Sequence, residues 1–329
     1  NYAALSPDGN LLATGQFDGV AKLWNLETGQ EEQVFEGHDD TIMAVDFHPT
    51  EQKIATASMD GSARVWDMAT GEELLRIEGH EVVSDFFTGV LGIAYSPDGR
   101  MIATSGGDGK IRTWDAATGE ALLTLDDWDN WATWVAFSPD GSMLASGGEL
   151  SNITIWDPQS GQELLSFPAA FPDRDIIWRI EFSPDGRLLA VSGTSGVVKI
   201  WAIDKENANS QLLATLTGHV GIVRGGMDFS SDGRLLATSA DDGTRLWDLS
   251  QYEDKVEQGE LPPAVLTVPG RNPLFNPEGD LLMTLVDGSL LGFTLDNDRL
   301  LELAQSRVTR SLTTQECDRF NIDPCPLEE

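Results

Sequence analysis

Basic residues are the scarcest large class in this chain. Twenty-one Lys and Arg face 54 Asp and Glu, for a net charge of −33. A field of that sign repels phosphate backbones, so nucleic acid is excluded as an expected partner. The acids gather in turns such as P-D-G, D-D-G and T-G-E-E, as they do on a solvated surface. Cysteine is nearly absent, and two residues in 329 do not make a disulfide scaffold. No run of 18 apolar residues occurs, so no membrane-spanning helix and no membrane partner are expected. No leader is visible either. A cytoplasmic location follows as the expectation, with an extracellular one left open because Asn1 to Leu5 already lie inside a repeat.

Histidine is also rare, with four residues. No H-x-x-x-H or C-x-x-C pair, G-x-x-x-x-G-K loop, G-x-S-x-G elbow or H-E-x-x-H helix is present. Asp126-Asp127-Trp128-Asp129-Asn130 lacks the ligand spacing and central glycine of a calcium loop. No metal, cofactor or catalytic residue is therefore expected, and the chain reads as a non-enzyme.

What is abundant is repetition. Ser-Pro-Asp-Gly stands at 6–9, 96–99, 138–141 and 183–186, with degenerate copies at His48-Pro49-Thr50, Ser231-Asp232-Gly233 and Asn276-Pro277-Glu278-Gly279. The seven copies start 42 to 48 residues apart. Trp24, Trp66, Trp114, Trp156, Trp201 and Trp247 keep the same period, with Phe293 in the seventh slot. Two markers in phase indicate a repeat architecture. Within the second unit, 41–47, 53–58, 62–66 and 73–77 alternate apolar and polar residues between Pro, Asp and Gly turns. That is a four-strand meander, and no unit shows sustained helical periodicity. Sheets of this kind packed radially leave few exposed edges. The expectation is an all-β, seven-bladed β-propeller over 1–295 and a tail over 296–329.

Gly37-His38, Gly79-His80 and Gly218-His219, the D-G turns and the W-D pairs together resemble WD repeats. That resemblance implies a seven-bladed propeller that works as a protein-interaction scaffold. It also implies a hydrogen-bonded tetrad, carried onto unit two as His38, Ser58, Asp60 and Trp66. Unit three carries it in part (His80, Asp108, Trp114), as does unit six (His219, Asp242, Trp247). Units four, five and seven lack the Gly-His step, unit one's would precede Asn1, and apolar packing is expected to hold those blades. The fourth histidine, His48, replaces the serine of the Ser-Pro-Asp-Gly turn.

Strand direction alternates in a meander. The connections from second to third strands and from one unit to the next therefore emerge on one face. That face receives the aromatic inserts of units three, four and five: 81–87, 126–134 and 171–178. The opposite face receives the polar inserts 205–210 and 250–263. Large apolar side chains and Arg in surface loops carry most binding energy. Phe86, Phe87, Trp128, Trp131, Phe171, Arg174 and Trp178 are the candidate partner contacts, with Arg224 and Arg271 near the same rim. Trp131 and Trp134 also suit packing between blades. A glycan- or ligand-binding propeller is the first alternative. An enzymatic propeller is the second, and it would need titratable groups converging in the central channel; Asp46, Glu181 and Asp228 read as scattered acids of the first strands.

In the tail, Leu312-Thr313-Thr314-Gln315-Glu316-Cys317 combines a capping box with a hydrophobic staple and predicts a short helix over 314–320. The segment from Ser306 to Phe320 is similar to the terminal motif of bacterial WD-repeat proteins. That resemblance implies the C-terminal sensor of a larger signalling chain, such as a STAND-type NTPase. Cys317 and Cys325 stand eight apart around a turn, which permits a disulfide, although reduced thiols are expected in cytosol. The tail is read as a cap over an open blade edge.

Overall fold

The computed structural model describes residues 2–81, 89–126, 131–149, 152–171, 175–250 and 264–295. Among these residues there is no helix, and the strands, β1 to β27 in chain order, form seven antiparallel sheets. Blade 2 shows the pattern: β5 (Ile42–Phe47), β6 (Lys53–Ser58), β7 (Ser62–Asp67) and β8 (Glu73–Glu78) pair in sequence order. The first strands are β1 (Tyr2–Leu5), β5, β9 (Val90–Tyr95), β13 (Ala132–Phe137), β17 (Ile177–Phe182), β21 (Met227–Phe229) and β25 (Arg271–Phe275). Each touches the next, and β25 touches β1, so they ring one central channel. The architecture is the seven-bladed propeller expected from the repeats.

The Ser-Pro-Asp-Gly turn works as a local device. Ser6 Oγ donates to Asp8 Oδ1 and accepts the Leu11 N–H, and Gly9 sits at φ 72° where a Cβ would be strained. His48 performs the same task with a ring: Nδ1 accepts the Thr50 and Glu51 N–H groups, and Nε2 donates to Gly99 O of blade 3. The turn histidine thus also links two blades.

The core lies between blades. Indoles of the third strands, such as Trp66, Trp114, Trp156 and Trp247, are buried there beside Ile, Val and Ala of the neighbouring sheets. Burying such an indole against aliphatic side chains contributes roughly 3 kcal/mol by area.

Blade 7 differs. Its sheet has three strands among the described residues: β25, β26 (Leu281–Val286) and β27 (Ser289–Thr294). In blade 2 the third strand is almost wholly buried under the fourth, whereas β27 leaves Ser289, Leu291 and Gly292 exposed. The expected helix at 314–320, the Cys317–Cys325 pair and the capping tail lie outside the described residues, as does the insert at 251–263.

Candidate functional site

The tetrad can be built from its strands upward. Trp66 on β7 lies opposite Ile54 of β6, and its indole reaches back along the sheet to Thr56, where Nε1 donates to Oγ1 at 2.9 Å. His38 Nε2 meets the same hydroxyl at 2.7 Å, and His38 Nδ1 meets Asp60 Oδ2 at 2.8 Å. Indole N–H only donates and an ionised carboxylate only accepts. A donor chain from Trp66 through Thr56 and His38 to Asp60 satisfies all of these groups, with the His38 Nδ1–H facing the carboxylate. Ser58 is not the hydroxyl of this chain, contrary to the expectation from the sequence. Its Oγ donates to Asp40 O and accepts the Asp60 N–H, which fixes the turn that holds Asp60. Strand periodicity puts both hydroxyls on one face, and only the one ten residues before the indole lies within its reach.

Blades 3 and 6 complete the same chain as His80–Thr104–Asp108–Trp114 and His219–Thr238–Asp242–Trp247. Burial lowers the affinity of His80 and His219 for a second proton, although Asp108 and Asp242 oppose this. For Asp60 and Asp108, burial pushes the carboxyl up. Hydrogen bonds from the paired histidine and nearby donors outweigh it and hold both far below the ordinary range. The same balance, with Arg245 added, puts Asp242 at about 2.

Blades without the histidine were expected to rely on apolar packing alone, and this is corrected. Blades 1 and 4 keep the indole bond, Trp24 to Thr14 and Trp156 to Ser146. Blade 5 substitutes Asp175, which accepts from Thr194 Oγ1, Ser195 Oγ and Ser195 N. Its third-strand indole finds no acceptor among the described residues, because Val191 stands where blade 2 has Thr56 and Trp201 Nε1 is buried there. Val191→Thr is nearly isosteric and restores the acceptor. It should stabilise the protein by about 1 kcal/mol in chemical denaturation, and Trp201→Phe in the V191T background should remove the gain.

The second-to-third-strand turns and the inter-blade connections do share one face: Met59 N donates to Thr41 O, and Thr41 Oγ1 to Phe17 O. A basin of about 1380 Å³ runs from the channel mouth along blades 7 and 1, lined by Phe17 and Met59 at this face and by Leu26 and Gly29 of the opposite one. Phe17, Met43, Met59, Trp178, Arg224 and Arg271 all line it. Phe17 is 73% exposed, and Val220 of blade 6 is 70% exposed.

Three sequence-predicted contacts, Trp178, Arg224 and Arg271, therefore meet in one basin. Trp178 is a wall and not a protruding anchor: it sits at the bulge of β17 between Ile177 and Arg179 and is 9% exposed. The anchoring of Asp175 to 194–195 draws the chain inward just before it. Arg271 pairs with Asp241 at 2.8 Å, whereas exposed Arg224 has no such pair among the described residues. Phe171 is half-buried against the core of blades 4 and 5, with Lys199 Nζ 6.0 Å from its ring centroid. Trp131 is half-buried, and Trp134 packs in the core between blades 4 and 5. Phe86, Phe87, Trp128 and Arg174 lie outside the described residues. Phe17, Met43 and Met59 were missed by the sequence reading, because Phe17 is a lone aromatic in an ordinary hairpin turn.

The acids of the channel are not scattered. Asp46, Glu181 and Asp228 each lie opposite the equivalent alanine of the second strand (Ala55, Ala190 and Ala237), so they occupy one layer of the ring. Asp46 Oδ2 accepts the Tyr95 N–H of blade 3, and Asp228 Oδ2 accepts the Phe275 N–H of blade 7. Glu181 feels both Asp228 and Asp46, which belong to blades 6 and 2, so the charges meet across the channel. One layer away, Arg179 Cζ stacks 3.7 Å from the Trp134 ring centroid and 5.1 Å from that of Tyr2.

The model for WD domain, G-beta repeat matches residues 1–25, 29–67, 71–115, 119–157, 161–202 and 210–248. It stops before blade 7, where Phe293 replaces the repeat tryptophan. A search of curated proteins returns no match. With six repeats matched and seven blades in the ring, the chain belongs to the WD-repeat family of β-propellers.

Proposed function

We propose that this propeller is a non-catalytic scaffold or sensor that captures a protein or peptide through the basin that runs along blades 7 and 1. The observation that carries this reading is the basin itself. It is wide, it opens beside the solvent-exposed ring of Phe17, and it holds an Arg224 that no carboxylate of the described residues neutralises. Exposed aromatic and Arg side chains around a concave surface are the groups that carry most binding energy in protein interfaces. The chain would act as one module of a larger signalling protein, as the likeness of its tail to bacterial WD-repeat termini suggests. The converging channel acids are what an enzymatic propeller would need. Two of them, however, accept backbone amides of the next blade, a use that holds the ring together.

The test is a paired substitution, Phe17→Ser with Arg224→Glu, used as bait beside the parent. Partners retained by the parent should be lost by the variant, with a melting temperature that moves by no more than about 2 °C, since both side chains are exposed. Retention of the same partners would reject the basin. Binding to a glycan array that these substitutions abolish would favour the lectin-like alternative.

A further inference from the structure

Blades 1, 2, 3 and 6 each carry a cation two residues before the repeat tryptophan. It stands opposite the tetrad hydroxyl of the second strand: Lys22 opposite Thr14, Arg64 opposite Thr56, Arg112 opposite Thr104 and Arg245 opposite Thr238. Each of these cations has a carboxylate. Lys22 pairs with Glu31, Arg64 with Asp60 and Glu73, Arg112 with Asp108, and Arg245 with Asp242. Two positions supply these acids. One is the aspartate four residues after the hydroxyl. The other is the fourth-strand glutamate opposite the tryptophan, Glu31 or Glu73.

Blade 5 keeps the cation and has lost both acids. Lys199 on β19 (Val198–Asp204) stands opposite Val191, two residues before Trp201. Ser195 occupies the aspartate position. Leu212 of β20 (Asn209–Leu216) occupies the glutamate position opposite Trp201. Asp175 accepts from Thr194 and Ser195 instead. Lys199 is 8% exposed, yet it has neither an ion pair nor a hydrogen bond among the described residues. The Phe171 ring, with its centroid 6.0 Å from Nζ, lies at the outer edge of cation–π range and is a weak substitute for a carboxylate. Burial without a counter-charge favours the uncharged amine and holds its ammonium below the ordinary lysine range. Nζ is not sealed in the way Trp201 Nε1 is, so the tip of the side chain still reaches solvent.

We infer that Lys199 is a nucleophilic amine that captures a small aldehyde with an apolar or aromatic body as an imine. The nitrogen lone pair adds to the carbonyl carbon, a proton passes from nitrogen to oxygen, and loss of water leaves the C=N bond. Nothing is oxidised or reduced, and the imine reverts when water adds back. A desolvated lysine among apolar groups is the setting in which an amine is unprotonated and reactive near neutral pH. Phe171 and Leu212 pack against the core between blades 4 and 5, and the Phe171 ring gives the body of the aldehyde a face to lie against. Lys22 and Lys53, by contrast, pair with Glu31 and Glu51, and Lys205 is exposed to water. Lys199, Phe171 and Leu212 are not among the residues that line the basin, so this site stands apart from the one proposed for a protein partner.

The experiment treats the full chain with benzaldehyde and cyanoborohydride, which reduces each imine to a stable benzylamine, and maps the adducts by peptide mass spectrometry. Lys199 should be labelled faster at pH 7 than Lys22, Lys53 and Lys205, and its rate should fall less steeply than theirs between pH 9 and pH 7. Leu212→Glu restores the acid that blades 1 and 2 have at this position. It should slow labelling of Lys199 roughly tenfold, the effect of one pKa unit, and leave Lys205 unchanged. Lys199 labelled no faster than Lys205, a pH slope equal to that of Lys205, or an unchanged rate in the Leu212→Glu variant overturns the assignment. The pH comparison uses the unsubstituted chain, so it decides the matter even where Leu212→Glu does not fold.

Discussion

Asp60→Ala is expected to lower stability by about 3–5 kcal/mol, the cost of removing one partner from a buried charged pair. Asp60 alone serves His38 Nδ1, the Asp39 N–H, and the N–H and Oγ of Ser62, with Arg64 close by. Alanine leaves four donors without their acceptor and takes one of two carboxylates from the buried Arg64, which keeps Glu73. A shift in the denaturation midpoint at unchanged slope would register the loss. Ser58→Ala, by contrast, should cost about 1 kcal/mol, since it removes hydrogen bonds to a single turn. Equal losses from the two substitutions would return Ser58 to the tetrad and remove Thr56 from it. The pH dependence has a definite sign. The folded carboxyl titrates below its unfolded value, so its contribution is complete above about pH 4 and disappears as pH falls further. Asp108 and Asp242 act in the same direction, so acid should unlock blades 2, 3 and 6 together.

The repeat length, the strand order and the two loop faces were all legible in the sequence, because Ser-Pro-Asp-Gly and Trp recur in register and a meander fixes which turns share a side. The identity of the tetrad hydroxyl was not. Thr56 and Ser58 differ by two residues and share a strand face, and the deciding quantity is how far an indole reaches along the sheet. A signal for it did exist: Thr14, Thr56, Thr104 and Ser146 all stand ten residues before the repeat tryptophan. The basin was legible only in part. Arg224 and Arg271 begin first strands and so belong near the rim on topology alone. Trp178 looked like a loop residue, because nothing local announces that Asp175 bonds residues nineteen and twenty positions later. The channel acids were visible one at a time, each preceding a phenylalanine that recurs among the repeats (Phe47, Phe182 and Phe229). Their meeting is a property of ring closure, which brings blades 2, 5 and 6 face to face whatever the local sequence says.

The burial of these acids at the channel should make the protein lose stability as pH rises through neutrality. Burial pushes Asp46 up to about 7, against hydrogen bonds from the Tyr95 and Phe47 N–H groups that lower it. Burial pushes Asp228 to about 7 against Phe275 and Phe229, and Glu181 to about 8, with Asp228 adding to the rise and Arg179 opposing it. All three are half-buried, and their positions on the innermost strands give them only the narrow channel as a route to water. In the folded ring these groups hold protons that the unfolded chain releases near pH 4. Stability associated with them is therefore complete below about pH 4 and is lost progressively as pH climbs to about 8. Combined with the acid loss at the tetrads, this puts the maximum on the mildly acidic side. The triple variant Asp46→Asn, Glu181→Gln, Asp228→Asn keeps acceptors for the Tyr95 and Phe275 amides and removes the charges. Its melting temperature should exceed the parent's by several degrees at pH 8, and the gap should close by pH 5. A parallel pair of melting curves across that range would show that burial at the channel does not raise the three carboxyls, and the prediction would fail.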